Sequence, residues 1–168
     1  MAFPFLASFE RSIKTVVTPE NKDQLLSYIK GTILEEKADN VVVEDMAVRY
    51  KGSTGGRGSI FNTVDSGIFS LVCKDDNWFV DYQMSMHNFV MIALVAIGII
   101  EILLTLGDGP WAVHIVALFW PFGLAWVVEM GRHGALAGDL AAGIDHLSGA
   151  APEEPEEDKM TGPLKSWF

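Results

Sequence analysis

Three kinds of hydrophobic patterning follow one another along the chain. Near the start, Phe5, Leu6, Phe9, Ile13, Val16 and Val17 recur at three- and four-residue spacing with Glu10, Arg11 and Lys14 opposite them. That spacing predicts an amphipathic helix with Pro4 in its first turn, packed on the sheet that follows or lying at a membrane surface. A second helix is expected from Thr18 as N-cap and Pro19 at the first helical position, with the stripe Leu25, Leu26, Ile29, Ile33 and Leu34 running to about Lys37. From Asn40 the period changes to two. Val42, Met46, Val48 and Tyr50 predict a strand, residues 52–58 a glycine-rich tip, and residues 59–64 a short partner strand. Residues 67–73 and 78–86 then read as an antiparallel pair around the connection 74–77. Within the second of these, Trp78, Val80, Tyr82, Met84 and Met86 share one face, so one side of the sheet is covered and the other is wet.

The patterning changes again at residue 88. Residues 88–106 form a run of nineteen with one ionisable group, Glu101, and residues 110–128 form a second run of nineteen with His114 as its titratable side chain. Each is long enough, at ~1.5 Å per residue, to cross a bilayer core. Three residues separate them, which predicts an antiparallel hairpin. Pro121 is expected to kink the second run, and Gly123 to let a neighbouring helix approach closely. Leu136, Leu140, Ile144 and Leu147 then give a weak stripe interrupted by glycines, read as a marginal interfacial helix. Residues 151–158 are acidic and proline-spaced, and the chain ends on an apolar tip carrying Leu164, Trp167 and Phe168, a candidate docking motif on a flexible tether.

The expected fold is therefore α+β. A small cytosolic domain over 1–87, with two helices and a four-stranded antiparallel sheet, joins a two-helix transmembrane hairpin over 88–131, followed by a cytosolic interfacial helix and acidic flexible tail over 132–168. Charge supplies the orientation. Nine Lys and Arg precede residue 88, none lies between the two apolar runs, and Arg132 follows the second, so both termini are expected on the cytoplasmic side of an integral, multi-pass protein. The opening residues lack the basic and long apolar regions of a cleavable signal. A formal net charge of −10 removes the basic footprint that nucleic-acid binding requires. The lone Cys73 excludes an intrachain disulfide framework, and no metal or cofactor is expected.

Candidate chemistry is sparse. A carboxylate within an apolar span costs roughly 2.5–3.5 kcal/mol, so Glu101 should have a partner or a task. Folding the hairpin brings His114 to nearly the same depth, giving a candidate intramembrane polar pair that either fixes packing or carries protons. A haem-ligand role for His114 is a weaker reading, and His87 and His133 read as interface residues. Phe119, Trp120, Pro121, Phe122, Gly123 and Trp126 form a candidate helix-packing or partner face, and Arg57 and Arg132 are candidate contacts for lipid headgroups. Residues 52–59 look like a phosphate cradle but lack the Lys-Ser/Thr pair and the following helix that such a loop needs. Asp75, Asp76 and His87 have no motif that would make them a lipid-directed active site. The expected function is a non-catalytic accessory or adaptor subunit of a larger membrane complex, with membrane lipid and other membrane subunits or further copies of the chain as partners. The alternative is a homo-oligomeric proton- or ion-conducting element built on Glu101 and His114.

Overall fold

Period-two burial begins at Leu6 rather than at Asn40. Ile13, Thr15 and Val17 are buried while Ser12, Lys14 and Val16 are exposed, and β1 (Leu6–Ile13) is a strand where the spacing of its apolar residues predicts a helix. The computed structural model describes residues 6–53, 59–107 and 110–150, apart from the side chains of 111, 112, 114, 115 and 117–122. Phe9 and Ile13 fit either period, being four apart and also an even number apart. A partner decides between them: β1 pairs antiparallel along the whole of β5 (Asn77–Ser85), from Leu6 against Ser85 to Ile13 against Trp78. Edge satisfaction of β5 outweighs the weak helical pattern.

After β1, the side chain of Asn21 accepts from the Thr18 amide and donates to the Val16 carbonyl, which folds residues 18–21 as a turn. α1 (Lys22–Glu35) therefore starts later than the expected Thr18 cap, with Asn21 as N-cap. Its stripe is as expected at Leu25, Leu26, Ile29 and Ile33, all buried, while Leu34 is exposed. Burial of each such side chain contributes about 1.5–3 kcal/mol.

The alternating segment after Asn40 is two strands, β2 (Asp39–Glu44) and β3 (Ala47–Lys51), because the chain reverses at Asp45, whose φ is 45°. The expected strand over 59–64 is instead a 3-10 turn, Ile60–Thr63. Ser59 caps it by accepting from the Phe61 amide, and Phe61 drops into the core. β4 (Ser66–Lys74) and β5 form the expected pair, joined by a two-residue turn at Asp75 and Asp76, both with positive φ. The sheet is antiparallel in the order β1-β5-β4-β3-β2.

α2 (His87–Leu106) leaves the end of β5 with Met86 alone between them and coincides within a residue with the first apolar run. α3 (Trp111–Leu147) is a single helix of 37 residues that passes through Pro121 and includes the segment expected as a separate interfacial helix. Its last part is core. His133, Leu136, Ala137, Leu140, Ala141 and Ile144 are buried, and α3 packs on β1, β5 and α1. Propensity counted the glycines against this helix, whereas packing uses one of them: a Cβ on Gly143 would lie 1.9 Å from the Tyr28 hydroxyl of α1.

Among the described residues the expected architecture is thus corrected to three helices and a five-stranded sheet. Among the described residues one helix, α2, is long and apolar enough to cross a membrane, so the two-helix transmembrane hairpin on a four-stranded sheet does not stand. The reason is continuity. The apolar stretch that opens α3 has no boundary at residue 128, and the same helix continues as a wall of the domain core.

Candidate functional site

The junction between sheet and α2 holds a cleft of about 760 Å³. Two kinds of surface meet there. Phe89, Ile92, Ala93, Ala96, Ile97 and Ile100 lie on one stripe of α2 at three- and four-residue spacing and make an apolar wall, with Ala125 of α3 completing it. The hollow exists because small residues, Ala93, Ala96 and Ala125, stand between isoleucines. At the sheet end the lining is polar: Asp39 and Asn40 of β2, Lys51, Ser53, Asn62, Thr63, Asp65 and Asn88. Asp65 is placed by the start of α2, where its carboxylate accepts from the Asn88 amide at 3.0 Å and offsets the positive end of the helix dipole. Lys51, the last residue of β3, is exposed and makes no ion pair among the described residues.

Behind the polar end a chain of polar groups runs into the core. Thr63 donates its hydroxyl to Glu129 of α3 at 3.3 Å, and Arg132 meets the other oxygen of the same carboxylate at 3.3 Å. Glu129 lies 3.9 Å from Nε2 of His133, which is fully buried. Nδ1 of His133 is 2.9 Å from the Tyr82 hydroxyl, and Tyr82 is 2.6 Å from the Tyr50 hydroxyl. One proton arrangement uses every phenol hydrogen: Tyr50 donates to Tyr82, Tyr82 donates to Nδ1, and Nε2–H faces Glu129.

Burial favours that neutral arrangement. Removal from water, reinforced by the Arg132 charge and opposed by a backbone contact at Ile60, lowers the His133 pKa to about 4. The same loss of hydration pushes both tyrosines well above the ordinary phenol value. Aromatic packing holds the geometry, with Phe69 and Tyr82 stacked at 4.0 Å and Tyr50 against Phe61 at 4.5 Å. Nε2 has no hydrogen-bond partner at normal geometry, with the Glu129 carboxylate 3.9 Å away.

The residues singled out from sequence fall in different places. Glu101 lies on α2, half-buried and in contact with other groups. The side chains of His114, Phe119, Trp120, Pro121 and Phe122 lie outside the described residues, as do Arg57, Leu164, Trp167 and Phe168. A Cβ on Gly123 would meet open space, and Trp126 packs against the core. Arg132 is paired with Glu129. Asp75 and Asp76 form the β4–β5 turn. His133, expected at an interface, is instead a core residue. Its position one turn before Leu136 and Ala137, on the stripe that continues to Leu140 and Ile144, was the available signal. Among the described residues no three His, Cys, Asp or Glu side chains are grouped so that they could hold a metal ion. Comparison with protein families, curated proteins and solved structures finds no match to this chain.

Proposed function

We propose that the chain is a membrane-anchored, non-catalytic accessory or adaptor protein that holds its sheet domain against the cytoplasmic face of a bilayer. The observation that carries this reading is α2. It is 20 residues long, or about 30 Å, and only Val90 of its described side chains is buried. Ile92 is 70% exposed and Leu106 79% exposed, and Leu94, Val95, Ile99, Ile102 and Leu103 are all more than half exposed. An apolar surface of that continuity calls for lipid or protein over it. The nine Lys and Arg that precede α2 support a cytoplasmic sheet domain. With a single residue between β5 and α2, the sheet stands at the membrane surface.

The test is isolation of the tagged full chain from its native membrane in a mild detergent, with the mass and stoichiometry of what it brings measured. A fixed-stoichiometry complex with larger membrane subunits is expected. Recovery as a homo-oligomer overturns the adaptor reading and favours the second one, an ion- or proton-conducting assembly. The second reading draws on Glu101, a carboxylate within an otherwise apolar helix with one oxygen shielded from solvent. In that case Glu101→Gln abolishes flux through reconstituted vesicles while leaving the oligomer intact.

A further inference from the structure

We infer that the cleft between α2 and the sheet is a binding site for one aminophospholipid molecule, its zwitterionic headgroup at the polar end and one acyl chain along the alanine hollow. The inference rests on the proposed membrane anchoring, since the ligand is drawn from the bilayer around α2. Three observations converge on this occupant. The first is shape: the volume, about 760 Å³, lies within the ordinary range for small-ligand sites, roughly 300–1,000 Å³. The apolar wall from Phe89 to Ile100 extends about 16 Å along the helix, which suits a chain rather than a compact ligand.

The second is polarity and its direction. The polar lining sits at the sheet end and the apolar lining runs from there along α2. A lipid with its headgroup at the sheet and its tail beside the helix therefore lies parallel to its neighbours in the leaflet. The third is charge. Lys51 offers an ammonium without an ion pair among the described residues, suited to a phosphate. Asp65 has one carboxylate oxygen on the Asn88 amide and the other available for an amine. Both signs at one end select a headgroup carrying both signs. The hydroxyl of Ser53 and the side-chain amide of Asn88 lie on the same rim.

The test uses the full chain reconstituted in phosphatidylcholine vesicles doped with a minor fraction of phosphatidylethanolamine whose acyl chain carries a photoactivatable group. Cross-links are mapped by mass spectrometry. Adducts concentrated at Ile92, Ala96, Ile100 and Ala125 are expected, with Lys51→Glu and Ala96→Trp each reducing them about tenfold, the factor that ~1.4 kcal/mol of binding carries. Thermal unfolding and vesicle flotation of each variant identify one that fails to fold. The map on the unaltered chain and the Lys51→Ala variant, at an exposed position, then decide. Adducts spread evenly onto Met91, Val95 and Ile102 overturn the cleft site, because those positions then report only surrounding lipid. Equal cleft labelling by a photoactivatable phosphatidylcholine overturns the headgroup assignment. A chain that does not float with vesicles at all overturns the anchoring itself, which distinguishes that failure from failure of the cleft.

Discussion

His133 shows how a single buried group links stability to pH. Its imidazole is neutral in the folded protein, with a pKa near 4, and recovers an ordinary value near 6.5 on unfolding. A group whose folded pKa is depressed contributes full stability above the unfolded value, and that stability is lost as protonation favours the unfolded chain. The protein is therefore expected to lose stability as pH falls from about 6.5 toward 4, by up to about 1.4 kcal/mol per pH unit. Chemical denaturation across that range checks it, and His133→Asn should flatten the slope while lowering stability at neutral pH. A second residue-scale anchor is Asp145. One oxygen of its carboxylate accepts from the Lys14 amide at 2.9 Å, the Thr15 amide at 3.0 Å and the Thr15 hydroxyl at 2.8 Å. This ties the end of β1 to the last turn of α3. Asp145→Ala leaves the buried Thr15 amide and the part-buried Lys14 amide without this acceptor, while the Thr15 hydroxyl keeps Ser148, and is expected to destabilise by about 2–4 kcal/mol, read from the denaturant midpoint at unchanged m-value.

At the scale of elements, close approach explains what propensity does not. Gly143 permits Tyr28 of α1 to lie against α3, and Gly67 permits the Tyr50 ring to lie across β4, where an added Cβ would fall 2.4 Å from its hydroxyl. Gly143→Ala improves intrinsic helix propensity by about 1 kcal/mol yet forces Tyr28 from its place. A net loss of about 1–2 kcal/mol is expected, and Gly143→Ala combined with Tyr28→Ala should recover part of the propensity gain in a double-mutant cycle. The β4–β5 turn behaves in the opposite way. Asp75 and Asp76 both adopt positive φ, 49° and 61°, the conformation that Asn-Gly takes most readily. Replacing the pair by Asn-Gly is expected to stabilise the domain by about 1 kcal/mol, checked by thermal unfolding.

For the molecule as a whole, the sheet domain and α2 solve different solvent problems. The domain buries one face of its five strands under α1 and the end of α3, whereas α2 leaves its large apolar side chains uncovered. If α2 enters lipid, a charge at its middle opposes insertion by roughly 2.5–3.5 kcal/mol. Val95→Lys, at a position 59% exposed, is expected to reduce flotation with vesicles sharply, and Val42→Lys, on the exposed edge strand, to leave it unchanged. Equal flotation of the two variants counts against membrane anchoring through α2.

Local signals in the chain determined much of this. The stripe of α1, the β4–β5 pair with its inward Val80, Tyr82 and Met84, and the apolar run of α2 all follow from periodicity within one segment, because each period repeats long enough to exclude the other. Glu101 was visible as a residue out of place, but its surroundings were not, and His133 read as an interface residue although it belongs to the core. Only the tertiary structure decided that β1 is a strand, since its few apolar residues suit both periods and the free edge of β5 made the choice. It alone continued α3 through its glycines, because Tyr28 and the sheet reward the close approach that propensity penalises. It also assembled the cleft and the Tyr50–Tyr82–His133 chain, whose members lie far apart in sequence and meet only once five strands and the returning helix are in place.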